Sequence, residues 1–101
     1  MLAEGGDDDL VKEVLAVFQS DTGERLAKMR AACAAENREE VRKQAHALKG
    51  SSGQVGAMGL SKICQALEMK AREASREEIE TLVGKIEGEF LKVRGEMRAG
   101  A

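Results

Sequence analysis

The chain has 101 residues, 43% of them hydrophobic and 34% charged, with a formal net charge of −2, no proline and two aromatic residues, Phe18 and Phe90. This is the length of a single domain able to bury roughly two-thirds of its unfolded surface, and the composition excludes an intrinsically disordered chain. The mixed charge gives no field for nucleic acid, two cysteines exclude a disulfide framework, and no apolar run suits a signal peptide or a membrane span. A cytoplasmic monomer without nucleic-acid partner or membrane insertion is expected. A core drawn from Leu, Val, Ile, Met and Ala favours helices over sheets.

Residues 1–7 read as a disordered or linker start, and residues 8–101 as the domain. Asp7 to Asp9 supply caps and negative charge for a helix N-terminus, and Leu10, Val14 and Phe18 follow as an apolar stripe at spacing four. The pattern hesitates at Ser20 to Gly23. There Asp21 with Glu24 forms a capping box ahead of Leu26, Met29 and Cys33, which leaves one bent helix or two. Asn37 with Glu40 opens the next helix. Its narrow seam of Val41, Ala45, Leu48, Ser52 and Val55 is bracketed at the end by Gly53 and Gly56.

From Ala57 a further helix carries Leu60, Ile63, Cys64, Leu67 and Ala71. Ser75 with Glu78 opens the last, whose stripe is Ile79, Leu82, Ile86, Phe90, Val93 and Met97. No segment alternates with period two. The expected fold is all-α, an up-and-down four-helix bundle with an additional N-terminal helical segment. Cys33 and Cys64 are expected to be reduced and packed, and Met29, Met58, Met69 and Met97 to serve packing and surface rather than ligation.

Every imidazole chemistry must pass through His46, the single histidine. At 100 degrees per residue it falls about 140 degrees from the centre of its helix's seam, with Arg42, Lys49, Gly50 and Gly53 within about 60 degrees of it. Glycine costs ~1 kcal/mol relative to alanine inside a helix, so glycines on an outward face suggest that something approaches closely there. Periodicity alone goes no further than a helical bundle with a glycine-rich face, on which a lone histidine is ordinarily a solvated residue.

The local sequence adds more. Ala45-His46-Ala47-Leu48-Lys49-Gly50-Ser51-Ser52 resembles the AHxLKGS(S/A) signature of histidine-containing phosphotransfer (HPt) domains. Gly56-Ala57, Leu60, Cys64 and the Leu67-Glu68 pair continue the likeness, which covers residues 8–98. The resemblance implies that His46 is phosphorylated on its solvent-facing nitrogen and that Lys49 steadies the phosphoryl oxygens as a point charge. It makes Gly50 a bare patch for a partner's aspartyl pocket, with Arg42, Gly53 and Arg72 on the docking face. Glu68 falls where the family hydrogen-bonds the other ring nitrogen, which would fix the tautomer and aim Nε2 outward. Glu68 equally suits a surface pair with Arg72 at i+4. Ser51 and Ser52 take structural roles, Ser52 by bonding a backbone carbonyl one turn back.

The chain has no P-loop, no other nucleotide-binding glycine signature and no acidic cluster near His46. The resemblance therefore implies a phosphorelay carrier rather than an enzyme. It would take a phosphoryl group from a receiver-domain aspartate and pass it to another response regulator. Partners are receiver domains or a hybrid sensor histidine kinase, with Mg²⁺ supplied by the partner and no metal site on this chain. Alternatives are the phosphorylatable N-terminal domain of a chemotaxis-type histidine kinase and, from a different class, a non-catalytic helical scaffold.

Overall fold

The computed structural model describes residues 3–100, with side chains for residues 9–97. Four helices follow one another: α1 (Ala3–Ala34), α2 (Arg38–Gln54), α3 (Met58–Lys70) and α4 (Arg76–Gly100). α1 and α3 each pack against both α2 and α4, giving an up-and-down four-helix bundle. Among the described residues no helix is long and apolar enough to cross a membrane.

The turns have local causes. α1 closes with Glu36 in the left-handed region at φ 56. There Asn37 N donates to Ala32 O at 2.8 Å and Glu36 N to Cys33 O at 3.1 Å, the paired bonds of a Schellman motif. α2 ends the same way. Gly56 takes the positive φ of 80, and Ala57 N donates to Ser52 O at 2.8 Å. Both expected caps form: Asn37 Oδ1 accepts from Glu40 N at 3.1 Å, and Ser75 and Glu78 bond each other's backbone N–H reciprocally. Arg38 then ties the start of α2 to the end of α3, donating to the carbonyls of Ala71 and Ala74.

In α1 the alternative of one helix or two is decided, and two expectations need correction. The additional N-terminal segment and the first bundle helix are one continuous helix of 32 residues. It reaches back to Ala3, into the segment read as a linker start, while Met1 and Leu2 lie outside the described residues. Asp7, Asp8 and Asp9 therefore stand within the helix rather than capping it. Asp21 caps nothing either: its carboxylate accepts from Arg25 Nε one turn on, at 2.9 Å, and the helix runs through Gly23, where a Cβ would meet no atom within 4 Å.

The second correction concerns the stripe. Phe18 is buried, but Leu10 and Val14 are 59% and 51% exposed. The register of α1 against α4 explains this, with Arg30 opposite Glu87 and Gln19 opposite Met97. At 1.5 Å per residue the N-terminal turns of α1 overhang the end of α4, by roughly 15–20 Å. A helical period shows which residues share a face, and says nothing of where the neighbouring helix stops.

Elsewhere the periodicity holds. Val41, Ala45, Leu48, Leu60, Cys64, Leu67 and Ile86 are buried, each large aliphatic contributing roughly 1.5–3 kcal/mol. On α4 Val83, outside the expected stripe, is as fully buried as Ile86, and Leu82 beside it is half-buried. Phe18 and Phe90 meet edge to face, their centroids 6.3 Å apart.

Candidate functional site

The site forms where α2 and α3 lie side by side, because the buried seams of both helices turn the remaining residues to one shared surface. On α2 the inward residues are Val41, Gln44, Ala45, Leu48 and Ser52, which leaves His46, Gly50 and Gly53 outward. On α3 the inward residues are Leu60, Cys64 and Leu67, so Glu68 sits at the edge facing α2.

His46 Nδ1 and Glu68 Oε2 are 2.8 Å apart. An ionised carboxylate can only accept, so Nδ1 carries the proton and donates it, and in the neutral ring Nε2 keeps its lone pair. The His46 side chain is 63% exposed and that of Glu68 only 18%. A half-sheltered anion thus orients an open ring. The other carboxylate oxygen, Oε1, lies 2.9 Å from Lys49 Nζ in an ion pair. The Lys49 ammonium foremost, and the His46 ring after it, hold the Glu68 carboxyl below its ordinary range, against partial burial, which pulls it up. Glu68 therefore remains an anion throughout the neutral range.

The two sequence readings of Glu68 are decided by these distances. Arg72 reaches Glu39 at 3.5 Å, and Arg42 binds the same carboxylate at 2.6 Å. Together Arg42, Lys49, Gln65, Glu68, Met69 and Arg72 line an open groove beside His46. The site residues read from the sequence thus gather on one face: His46, Lys49 and Glu68 in direct contact, and Arg42 and Arg72 joined through Glu39.

Gly50 and Gly53 are exposed on this face. A Cβ at Gly50 would meet no atom within 4 Å, and one at Gly53 would make only an ordinary contact with Ser61 Oγ at 3.8 Å. Neither glycine is required by packing inside the chain, so the helix bears their cost for no internal gain.

Sequence reasoning missed two features here. Ser61 of α3 donates its hydroxyl to the Lys49 carbonyl at 3.0 Å, pinning the two helices next to the site. Only the helix pairing, which no local motif encodes, brings them together. The second is the overhang of α1, where Leu10, Val11 and Val14 are all more than half exposed. Leu10, Val11, Val14 and Leu15 line a groove with Gln54 and Val55 at the end of α2. This apolar strip continues the face that carries Gly50 and Gly53, and exposed strips of this kind mark contact surfaces.

The serine roles also differ in detail. Ser51 bonds one turn back, to Leu48 O at 3.4 Å, whereas the buried Ser52 hydroxyl has no hydrogen-bond partner among the described residues. Cys33 and Cys64 are free and buried, and burial pushes the Cys64 thiol up to about 12. Among the described residues no cluster of three His, Cys, Asp or Glu could hold a metal ion.

The chain is similar to known proteins over most of its length. The Hpt domain family model matches residues 13–96. A solved structure, histidine-containing phosphotransfer protein B (HptB) from Pseudomonas aeruginosa PAO1, superposes with a TM-score of 0.86 at 32% sequence identity. The match covers 92% of this chain and 81% of that one. No curated protein matches.

Proposed function

The chain belongs to the Hpt domain family, and from that membership we propose that His46 accepts a phosphoryl group from a receiver-domain aspartate and delivers it to the aspartate of another response regulator. As a family member the chain is a histidine phosphotransfer carrier of phosphorelays. The observation that carries the residue assignment is the contact between His46 Nδ1 and Glu68 Oε2, which in the neutral ring places the Nε2 lone pair on an open surface.

Loading begins with the Nε2 lone pair attacking phosphorus. The N–P bond forms as the bond from phosphorus to the aspartyl oxygen breaks, and the leaving electron pair returns to the carboxylate. The proton on Nδ1 stays where it is, and Glu68 offsets the positive charge that the ring acquires. Delivery is the reverse on a second aspartate. Phosphoryl transfer has a loose transition state and asks mainly for in-line placement and charge neutralisation. Lys49 supplies one cation. The acidic pocket and its Mg²⁺ come with the receiver, and the chain acts as carrier, not kinase.

Gly50 and Gly53 let that pocket close over His46. Arg42 and Arg72 border the docking face on one side, and the apolar strip of α1 extends it on the other. The test is a two-step relay. The full chain is loaded from one phosphorylated receiver domain, freed of it, and mixed with a second unphosphorylated receiver. Label moving to the second receiver supports the reading, and label retained by this chain against every receiver tried contradicts it.

A further inference from the structure

Lys49 is paired with Glu68 before any phosphoryl group arrives. Its ammonium is 2.9 Å from Glu68 Oε1, on the side of the carboxylate away from the His46 contact at Oε2. The other two cations of the groove are already engaged with Glu39, Arg42 at 2.6 Å and Arg72 at 3.5 Å. We propose that Lys49 is a two-position residue, on Glu68 when His46 is unloaded and on the phosphoryl oxygens when it is loaded, and that its departure releases the full charge of Glu68 onto Nδ1–H. This rests on the reading of His46 as the phosphoryl carrier.

Charge balance favours the exchange. In the unloaded state the ring is neutral, and the Lys49 cation and Glu68 anion cancel. Once Nε2 bonds phosphorus while Nδ1 keeps its proton, the ring becomes positive and the phosphoryl oxygens negative. Two opposite-charge pairs are then available, Glu68 with the ring and Lys49 with the phosphoryl group. If Lys49 stayed on Glu68, the ring would face a carboxylate already neutralised and the phosphoryl group would lack its nearest cation.

Lysine suits the task, being a point charge on a flexible stem with donors that re-aim freely, where arginine would lock into a planar fork. The Lys49 side chain is 34% exposed, which leaves its stem room to re-aim. Lys49 thereby acts as a positioning residue for the ring through Glu68. While unloaded it moderates the pull of the carboxylate on Nδ1–H. After loading, the uncompensated carboxylate keeps the proton on Nδ1, so that Nε2 departs as part of a neutral imidazole when phosphorus moves on.

The Nδ1 proton reports the exchange directly. The full chain, labelled with ¹⁵N-histidine, is studied by NMR with and without phosphorylation by phosphoramidate, whose P–N bond breaks with loss of ammonia. Phosphorus NMR identifies the Nε2 adduct. Lys49→Gln, with Lys49→Met as a second variant that keeps the apolar stem, should move the Nδ1 proton downfield in the unloaded protein, since the Glu68 hydrogen bond strengthens. In the loaded protein the same substitutions should leave that proton essentially unmoved. An equal downfield move in both forms would overturn the exchange while leaving the carrier role intact. Absence of any N-linked phosphate on His46 would overturn both.

Discussion

Oε2 of Glu68 lies 2.8 Å from Nδ1 of His46, while Arg72, one turn further along α3, turns away to Glu39 at 3.5 Å. Glu68 is thus tied to the ring rather than to its helical neighbour. A charge-assisted hydrogen bond of about 1.5–3 kcal/mol corresponds to roughly 10–100-fold in rate. Glu68→Ala should slow phosphoryl acceptance by about that factor and mix the two neutral tautomers of the ring. Glu68→Gln, which retains a carbonyl acceptor, should fall between it and wild type. Arg72→Ala should leave the tautomer unchanged. Nitrogen NMR of the single histidine and single-turnover transfer rates check this.

Gly50 tests the close approach. With no atom within 4 Å of a Cβ placed there, Gly50→Gln should fold as well as wild type, and gain up to about 1 kcal/mol from helix propensity. Transfer from a phosphorylated receiver should nonetheless fall strongly, because the added side chain stands one turn from His46 where the partner must seat. Unchanged melting with slowed transfer is the expected pair of results; transfer at the wild-type rate would remove Gly50 from the docking face.

The overhang of α1 separates docking from folding within one apolar stripe. Val14 is 51% exposed and Phe18 only 5%, although they stand one turn apart. Phe18→Ala should cost about 3–5 kcal/mol of stability. Val14→Glu should change stability by less than about 0.5 kcal/mol while weakening receiver binding by roughly tenfold, the effect of losing about 1.4 kcal/mol of apolar contact. Denaturant melts and a binding titration with a receiver domain distinguish the two.

That contrast also shows how far the sequence could be read. The helices α2, α3 and α4 follow from apolar spacing and from the caps at Asn37 and Ser75, which act within a few residues of themselves. The residues of the site follow from the segment around His46. The overhang of α1 depends on where α4 ends in space, and spacing carries no such information. Asp21 had the right neighbours for a cap, but the helix on either side was already continuous, so its carboxylate paired with Arg25. The choice between His46 and Arg72 as partner of Glu68 rested on side-chain direction across two helices, which only the assembled bundle fixes.

Stability in acid should follow the paired carboxylates. Glu87 accepts two bonds from Arg30, at 2.9 and 2.6 Å, and the hydrogen bond to that guanidinium holds its carboxyl below the ordinary value of 4.5. A carboxyl lowered in the folded state contributes stability that is fully present above its unfolded value and is lost as pH falls through the folded one. Both side chains are over a third exposed or close to it, so solvent screening limits the contribution to about 1 kcal/mol or less. Glu87→Gln should therefore melt slightly below wild type at pH 7, and the two curves should converge as pH drops below 4.5. A constant offset across that window would mean that the pair contributes nothing electrostatic.

The most direct test of the carrier assignment is where the phosphate sits. The full chain is incubated with Mg²⁺ and a phosphorylated receiver domain, and its phosphate is mapped and tested for acid and alkali stability. One acid-labile, alkali-stable phosphate on Nε2 of His46 is expected. Loss of all labelling in His46→Gln, with circular dichroism and melting temperature nearly unchanged, should accompany it, because a side chain 63% exposed contributes little to the core. Labelling that persists in His46→Gln would contradict the assignment of His46 as the phosphoryl carrier.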